Sequence, residues 1–364
     1  MIGGCIKKKL FIIIFVLPIF IFSQEYTLGL FTSRSKKDAF WGPFARFAQE
    51  TAKDLDLGLK TFYAKGDHML MLEQVKKACK KSSDIDGLII HNFKNLGQKF
   101  LEIAEKHKVP VIVVNAGIGK VGKPRQKYKY WIGEILPNNF MAGYKLANTL
   151  FRNYGIDNKQ IRTVGISGPK ASPDAKKRNN GFRKAVSQHD NVTLCQILPT
   201  NWSIKQAEYK FKILKRIRYP KISVVWTAAD IISLGVYKGA KELDLGMDKI
   251  VTGGIDWSSE GIKSVEEGKI NATVGGHFME GGWAVILFHD YFKGHDFKEE
   301  AICFKSGMSV ITKADVKKKS QFLKPKTWQK IDFKKFSKIY NDNLDKYHFN
   351  FSAIREQLES RGKH

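Results

Sequence analysis

The sequence predicts an α/β protein of two doubly wound parallel-sheet lobes joined by hinge crossings, and three observations carry that prediction. Residues Lys221–Gly276 read strand, helix, strand, helix, strand, with an apolar β-branched run opening each strand and a Gly or polar loop closing it. The stretch before residue 136 repeats the same alternation, which parallel strands require because each needs a crossover. A chain of 364 residues is long for one core and comfortable for two.

Taken in order, Tyr26–Thr32 is a strand opening into the polar loop Ser33–Asp38, and Pro43 sits in the first turn of a helix carrying Phe44, Phe47, Ala48 and Ala52 on one face. Leu59–Tyr63 is the second strand, followed by a helix over Asp67–Lys80 with Asp67 as its N-cap. Asp86–His91 and Val109–Asn115 are strands three and four, separated by a helix over Leu96–Lys106. Tyr130–Ile135 is a further strand, and Leu136–Asn139 breaks the pattern before the helix Phe140–Phe151.

The second half continues with a strand at Arg162–Ser167 and a helix capped by Ser172-Pro173 that runs to about Gln188. Next come a strand at Val192–Leu198, a helix over Ile204–Ile217 and the βαβαβ unit. Open parallel sheets bind ligands outside the carboxyl ends of their strands, so Thr227–Asp230, Asp256–Ser259 and Gly275–His277 should project toward one cleft. The chain then adds a helix over Gly281–Phe292 and an edge strand near Ala301–Phe304. After Lys313 the composition turns basic with interleaved aromatics, which fits a wrap around the lobe junction, a contact with a membrane partner or a solvated helical tail.

At the N terminus, Lys7–Lys9, the run LFIIIFVLPIFIF and Ser23-Gln24 follow the order of a secretory signal, placing the mature protein in the periplasm; an uncleaved anchor is the alternative. The expected organisation is a signal at 1–23, a first lobe from 24–136 and 277–310, a second lobe from 137–276 and a basic extension at 311–364. Export makes nucleic acid an improbable partner for a net charge of +27, which is spread over the chain. Without the signal, Cys79, Cys195 and Cys303 remain, an odd count, and the first two read as buried thiols. No spacing of Cys or His suggests a metal, and no cofactor is expected.

Gly117, Gly119 and Gly122 satisfy GxGxxG, and most of a phosphate-binding loop as well. Both motifs need a helix to follow, yet KPRQKYKYW comes next, with Pro124 where a Ser or Thr hydroxyl would be required. A basic loop is the better reading, and a nucleotide-dependent enzyme on a Rossmann-like fold is kept as an alternative.

The blocks WTAADIISLGVYKGAKEL and VTGGIDWSSEGIKSVEEGKINATVG give the chain a resemblance to type I periplasmic solute-binding proteins, the sugar-binding and quorum-signal-binding receptors, from about Tyr26 to about Phe304. The resemblance implies ligand capture between two lobes, with hinges at Glu134–Asn138 and Gly275-Gly276. It implies stacking rings at Phe40 and Trp41 and a polar contact at Asn115. In PDAKKRNNGFRKAV it implies a cleft-reaching cation at Arg178 or, second, Lys176. Asp230 and Asp256 stand where family members place hydroxyl-binding acids, and His277 lies beside Gly276, which replaces the family's polar residue.

No nucleophile–base pair or paired catalytic carboxylates emerges, so the reading is a binding protein and not an enzyme. Its expected role is capture of a small polar, carbohydrate-like ligand by a monomer that docks on an ABC permease, or alternatively on the periplasmic domain of a sensor kinase or diguanylate cyclase. Replacing Trp41, Arg178 or Asp256 should weaken binding with little loss of unliganded stability.

Overall fold

The computed structural model describes residues 25–119 and 121–361. The expected signal at 1–23 lies outside them. Among the described residues no helix is long and apolar enough to cross a membrane.

The first sheet is built from β1 (Thr27–Thr32), β2 (Gly58–Tyr63), β3 (Gly87–Ile90), β4 (Val111–Val114) and β5 (Trp131–Pro137). Helices α1 (Trp41–Asp54), α2 (His68–Ala78) and α3 (Gly97–His107) alternate with the first four strands. Helix α4 (Asn139–Tyr154) opens the second lobe, followed by β6 (Ile161–Ser167), α5 (Pro173–Val186), β7 (Val192–Pro199) and α6 (Ile204–Ile213). Then come β8 (Val224–Thr227), α7 (Asp230–Glu242), β9 (Val251–Asp256), α8 (Ser259–Glu266) and β10 (Ala272–Gly275). Helix α9 (Glu280–Phe292) and strand β11 (Cys303–Ser306) rejoin the first lobe, and β12 (Ser309–Thr312) the second. The tail holds α10 (Val316–Ser320), α11 (Pro325–Trp328) and α12 (Phe351–Arg361).

The two six-stranded sheets run β11-β5-β4-β3-β1-β2 and β12-β10-β9-β8-β6-β7. All pairings are parallel except β12, which lies antiparallel on β10 with Val274 opposite Val310. Both sheets are therefore the expected doubly wound kind. The central strands Gly87–Ile90, Val111–Val114 and Val224–Thr227 are buried at every position, as strands covered by helices on both faces must be.

The chain passes between the sheets at Asn138 and at Gly276, the two places expected, and a third time at Gly307-Met308. Gly276 holds φ +116, which only glycine adopts without strain. The expected lobe boundary at 310 falls inside β12. That strand was hidden because SVIT is short and its partner β10 lies more than thirty residues earlier. The helix expected over Ile204–Ile217 stops at Ile213 and gives way to a π-turn over Leu214–Arg218.

The tail wraps the lobe junction. Trp328, Phe333, Phe336, Phe349 and Phe351 are all buried, and they share one hydrophobic core with Phe47 of α1, Trp283 of α9, and Trp257 and Val265 of the second lobe. Of the cysteines, Cys79 is buried, but Cys195 on the edge strand β7 is half-buried and Cys303 is exposed; all three are free.

Candidate functional site

At the carboxyl ends of the strands of both sheets, residues from several separate segments come together. In the first lobe Asp38 fixes the start of α1: its Oδ1 accepts from the backbone N–H of Phe40 (3.0 Å) and of Trp41 (2.9 Å). This cap aims the two rings. Trp41 lies against the His91 imidazole, centroids 4.2 Å apart, and Phe40 stacks on the His277 imidazole at 4.6 Å. The two rings meet edge to face at 5.2 Å.

In the second lobe α4 and α5 approach closely enough to set one side chain. A Cβ on Gly143 would lie 2.0 Å from the Arg178 carbonyl oxygen, and one on Gly181 would lie 1.9 Å from that of Phe140. Glycine at both positions lets α5 sit on α4, which drives the Arg178 guanidinium inward. Its Nε donates to Asn139 Oδ1 (2.8 Å) and its Nη1 to the Ala228 carbonyl (2.7 Å) and Asp256 Oδ1 (3.3 Å). Its Nη2 stands 3.4 Å from His277 Nε2. The network continues outward, because Asn139 Nδ2 donates to Asp174 Oδ1 at 2.9 Å.

Asp256 ends β9 with φ +145 and Trp257 follows with φ +56, two successive non-glycine residues in positive-φ backbone. Such strain persists where surrounding structure over-determines it and is concentrated at functional sites. Burial pushes the Asp256 carboxyl up to about 7; Arg178 pulls it down, while Asp230 and Asp38 add to the rise. His277 is held well below its ordinary value by burial and then by Arg178, so its ring is neutral and Nε2 can accept from the guanidinium.

Phe40, Trp41, Arg178, Asp256 and His277 therefore converge as the sequence suggested. Asn115 is beside them, at the end of β4 with φ +60, and its backbone N–H donates to Glu280 Oε2 at 2.8 Å. Lys176 does not join them. It lies two residues before Arg178, about 200° around the helix, and is exposed.

Asp230 also departs from expectation: it lies beneath the site. It is fully buried, with Oδ2 accepting from the backbone N–H and hydroxyl of Ser258 (both 2.9 Å) and Oδ1 from Thr273 Oγ1 (2.6 Å). Gly254 and Gly261 crowd it, since a Cβ on either would approach it within 2.6 Å. Asp230 is thus a structural carboxylate joining the ends of three strands, and burial raises its pKa.

Four residues of this region were not singled out from sequence. His91 is buried with neither ring nitrogen hydrogen-bonded among the described residues, and burial pushes it down to about 3. Its position at the end of β3 was the available signal. Asn139 and Asp174 extend the Arg178 network, and burial raises Asp174. Glu280 is fully buried, accepts from Asn115 and from the Ser306 hydroxyl, and is held well above the carboxylate range by burial. The GxGxxG stretch runs into β5 with no helix between, so it lacks a helix N-terminus for a phosphate.

A family model described as "Periplasmic binding protein domain" matches residues 28–295. The ribose import binding proteins RbsB of Escherichia coli (strain K12) and Haemophilus influenzae are 26% and 24% identical over 178 and 175 residues. Those matches cover 48% and 47% of this chain, and the chain spans about half the length of these curated relatives, 54% and 53%. A periplasmic sugar-binding protein from Pseudomonas fluorescens has a similar structure, with a TM-score of 0.80, 25% identity and coverage of 90% of this chain and 99% of that one. A periplasmic solute-binding protein of an ABC transporter from Actinobacillus succinogenes 130z, with D-allose bound, shares the fold at a TM-score of 0.69 and 19% identity, covering 81% of this chain and 100% of that one.

Proposed function

The chain belongs to the periplasmic binding protein domain family, and from that premise we propose that it captures a small polar, carbohydrate-like ligand between its lobes and delivers it to an ABC importer. One observation carries the reading: Phe40 of the first lobe, edge to face with Trp41, stacks on His277 of the Arg178, Asp256 and His277 cluster between the sheets. Apolar rings beside a carboxylate and a guanidinium suit a ring with one C–H face and a rim of hydroxyls. The rings stack on the face, Asp256 accepts from hydroxyls and Arg178 donates to oxygens. Withdrawal from water strengthens each of those bonds. Closure about the crossings at Asn138 and Gly276 would bring the halves of the site onto the ligand in the periplasm.

The named relatives support this reading, since they are ribose and sugar-binding proteins. Calorimetry on protein stripped of ligand by unfolding and refolding tests it, titrating D-ribose, D-allose, L-arabinose and myo-inositol. One site with micromolar or tighter affinity for at least one of them is expected, weakened in Asp256→Asn. Absence of heat and of any melting shift with all four would sink the carbohydrate reading.

A further inference from the structure

The tail is the part of the molecule that the binding reading leaves without a role. Trp328, Phe333, Phe336, Tyr347, Phe349 and Phe351 face inward, while Lys317, Lys318, Lys324 and Lys326 face solvent. Leaving β12, it first packs α10 onto the second lobe, with Val316 buried in the shared core. It then crosses to the first lobe. Trp328 and Phe333 each stand edge-on to Phe47, both at 5.4 Å, and the Phe333 N–H donates to Asp54 Oδ2 at 2.7 Å.

A buried carboxylate locks it there. Asp290 of α9 is fully buried and accepts from Ser337 Oγ (2.5 Å), the Lys338 N–H (2.7 Å) and Tyr347 OH (2.8 Å), all three from the tail. A buried acid bonded this way is expensive to expose, so the anchor is specific. Past this lock the chain returns to the second lobe, where Phe351 stands edge-on to Trp257 with centroids 5.0 Å apart.

Trp257 is the residue after Asp256. Its ring is 4% exposed and lies over β10, where a Cβ on Gly275 would come within 2.4 Å of it, and its Nε1 donates to the Thr273 carbonyl at 3.3 Å. The strained backbone at Asp256 and Trp257 is therefore packed against a ring of the tail, and the same tail is bonded to Asp54 and Asp290 of the first lobe.

We propose that residues 313–361 form a clasp between the lobes, in which Phe351 is a positioning residue acting on Asp256 through Trp257. The part concerning Asp256 as a ligand contact rests on the binding reading above; the clasp itself does not. Opening the lobes must either part Phe351 from Trp257 or draw Trp257 with it.

The test uses the full chain without any sugar, so its outcome is separate from that of the binding reading. Phe351→Ala is compared with Phe336→Ala, which removes a buried ring set against Trp283 of the first lobe at 5.4 Å. In Phe351→Ala, amide hydrogen exchange of the peptide spanning residues 255–260 is expected to quicken by about ten-fold or more, and small-angle scattering to show a larger radius of gyration. Phe336→Ala should melt earlier while leaving both readings as in the parent. Parent-like exchange and scattering in Phe351→Ala, or the same changes in both variants, would overturn the clasp. Should Phe351→Ala fail to fold, Phe351→Leu is read the same way: quickened exchange supports the clasp and parent-like exchange overturns it.

Discussion

Arg178 and Asp256 form an ion pair at the carboxyl edge of the second sheet, Nη1 to Oδ1 at 3.3 Å, and His277 Nε2 approaches the same oxygen at 3.5 Å. Both close contacts fall on Oδ1, so Oδ2 is the oxygen a ligand hydroxyl would engage. Asp256→Asn should weaken sugar binding about ten- to a hundred-fold, the range for losing a charged hydrogen bond in a dry site. Calorimetry with the sugar that binds the parent decides it, and an unchanged affinity would remove Asp256 from the site.

Arg178→Ala should cost stability, contrary to the sequence-based expectation of a stability-neutral change. The guanidinium is buried and bonded to Asn139, Ala228 and Asp256, so its loss leaves several buried acceptors unsatisfied. Trp41, 8% exposed and packed on Phe44 and His91, belongs with it; its replacement by Ala should cost about 3–5 kcal/mol. Both variants should lose affinity and melt early, and a parent-like melt for either contradicts the packing described.

The pH dependence of Asp256 has a definite sign. Its folded value, about 7, lies above the ordinary 3.8, so between those values the folded chain holds a proton that the unfolded chain has released. Stability from this group is full below about 3.8 and is lost as pH rises toward 7. The melting temperature of Asp256→Asn relative to the parent should therefore be more favourable at neutral than at acidic pH. Equal differences at both would contradict a raised carboxyl.

His91 gives the opposite window. Held down to about 3 against an ordinary 6.5, it stays neutral in the fold while the unfolded chain takes up a proton, so stability is lost as pH falls through that interval. His91→Phe keeps a ring against Trp41 and removes the titration. Its melting temperature should fall less than the parent's on acidification from neutral pH, and identical slopes would refute the assignment.

Gly181→Ala tests how the second lobe aims Arg178. The added methyl would meet the Phe140 carbonyl at 1.9 Å, so α5 must move off α4, at a cost of about 1–3 kcal/mol or more. Loss of sugar affinity should accompany the loss of stability, because Asn139 and Arg178 lie on the two displaced helices. Retained affinity in a destabilised protein would separate the crossing from the site.

The sheets were legible because each central strand is an apolar β-branched run closed by a polar loop, a pattern that local sequence carries in full. The five clustered residues were legible through the resemblance: Phe40 and Trp41 stand at a helix start, Asp256 and His277 at the close of strands, and Arg178 within α5 just before Gly181-Phe182. Asp230 was misread because the resemblance pairs it with Asp256: it comes just after β8 as Asp256 closes β9, and what buries it, the approach of Gly254 and Gly261, is a tertiary fact. Glu280 was invisible because its partner Asn115 is 165 residues away. The tail's composition showed rings and lysines but not which way the rings would turn.

The bond from the Phe333 N–H to Asp54 spans 279 residues, and that span has a consequence for how the chain comes together. Each sheet takes five strands from one stretch of chain, β1 to β5 and β6 to β10, and its sixth, β11 or β12, from later chain. The first lobe waits longer, for α9 and the tail as well. Phe47, near its beginning, waits for Trp283, Trp328 and Phe333, so its contact order is high and its assembly slow. During synthesis the half made first is thus the half finished last, because its core stays open until the tail has been made.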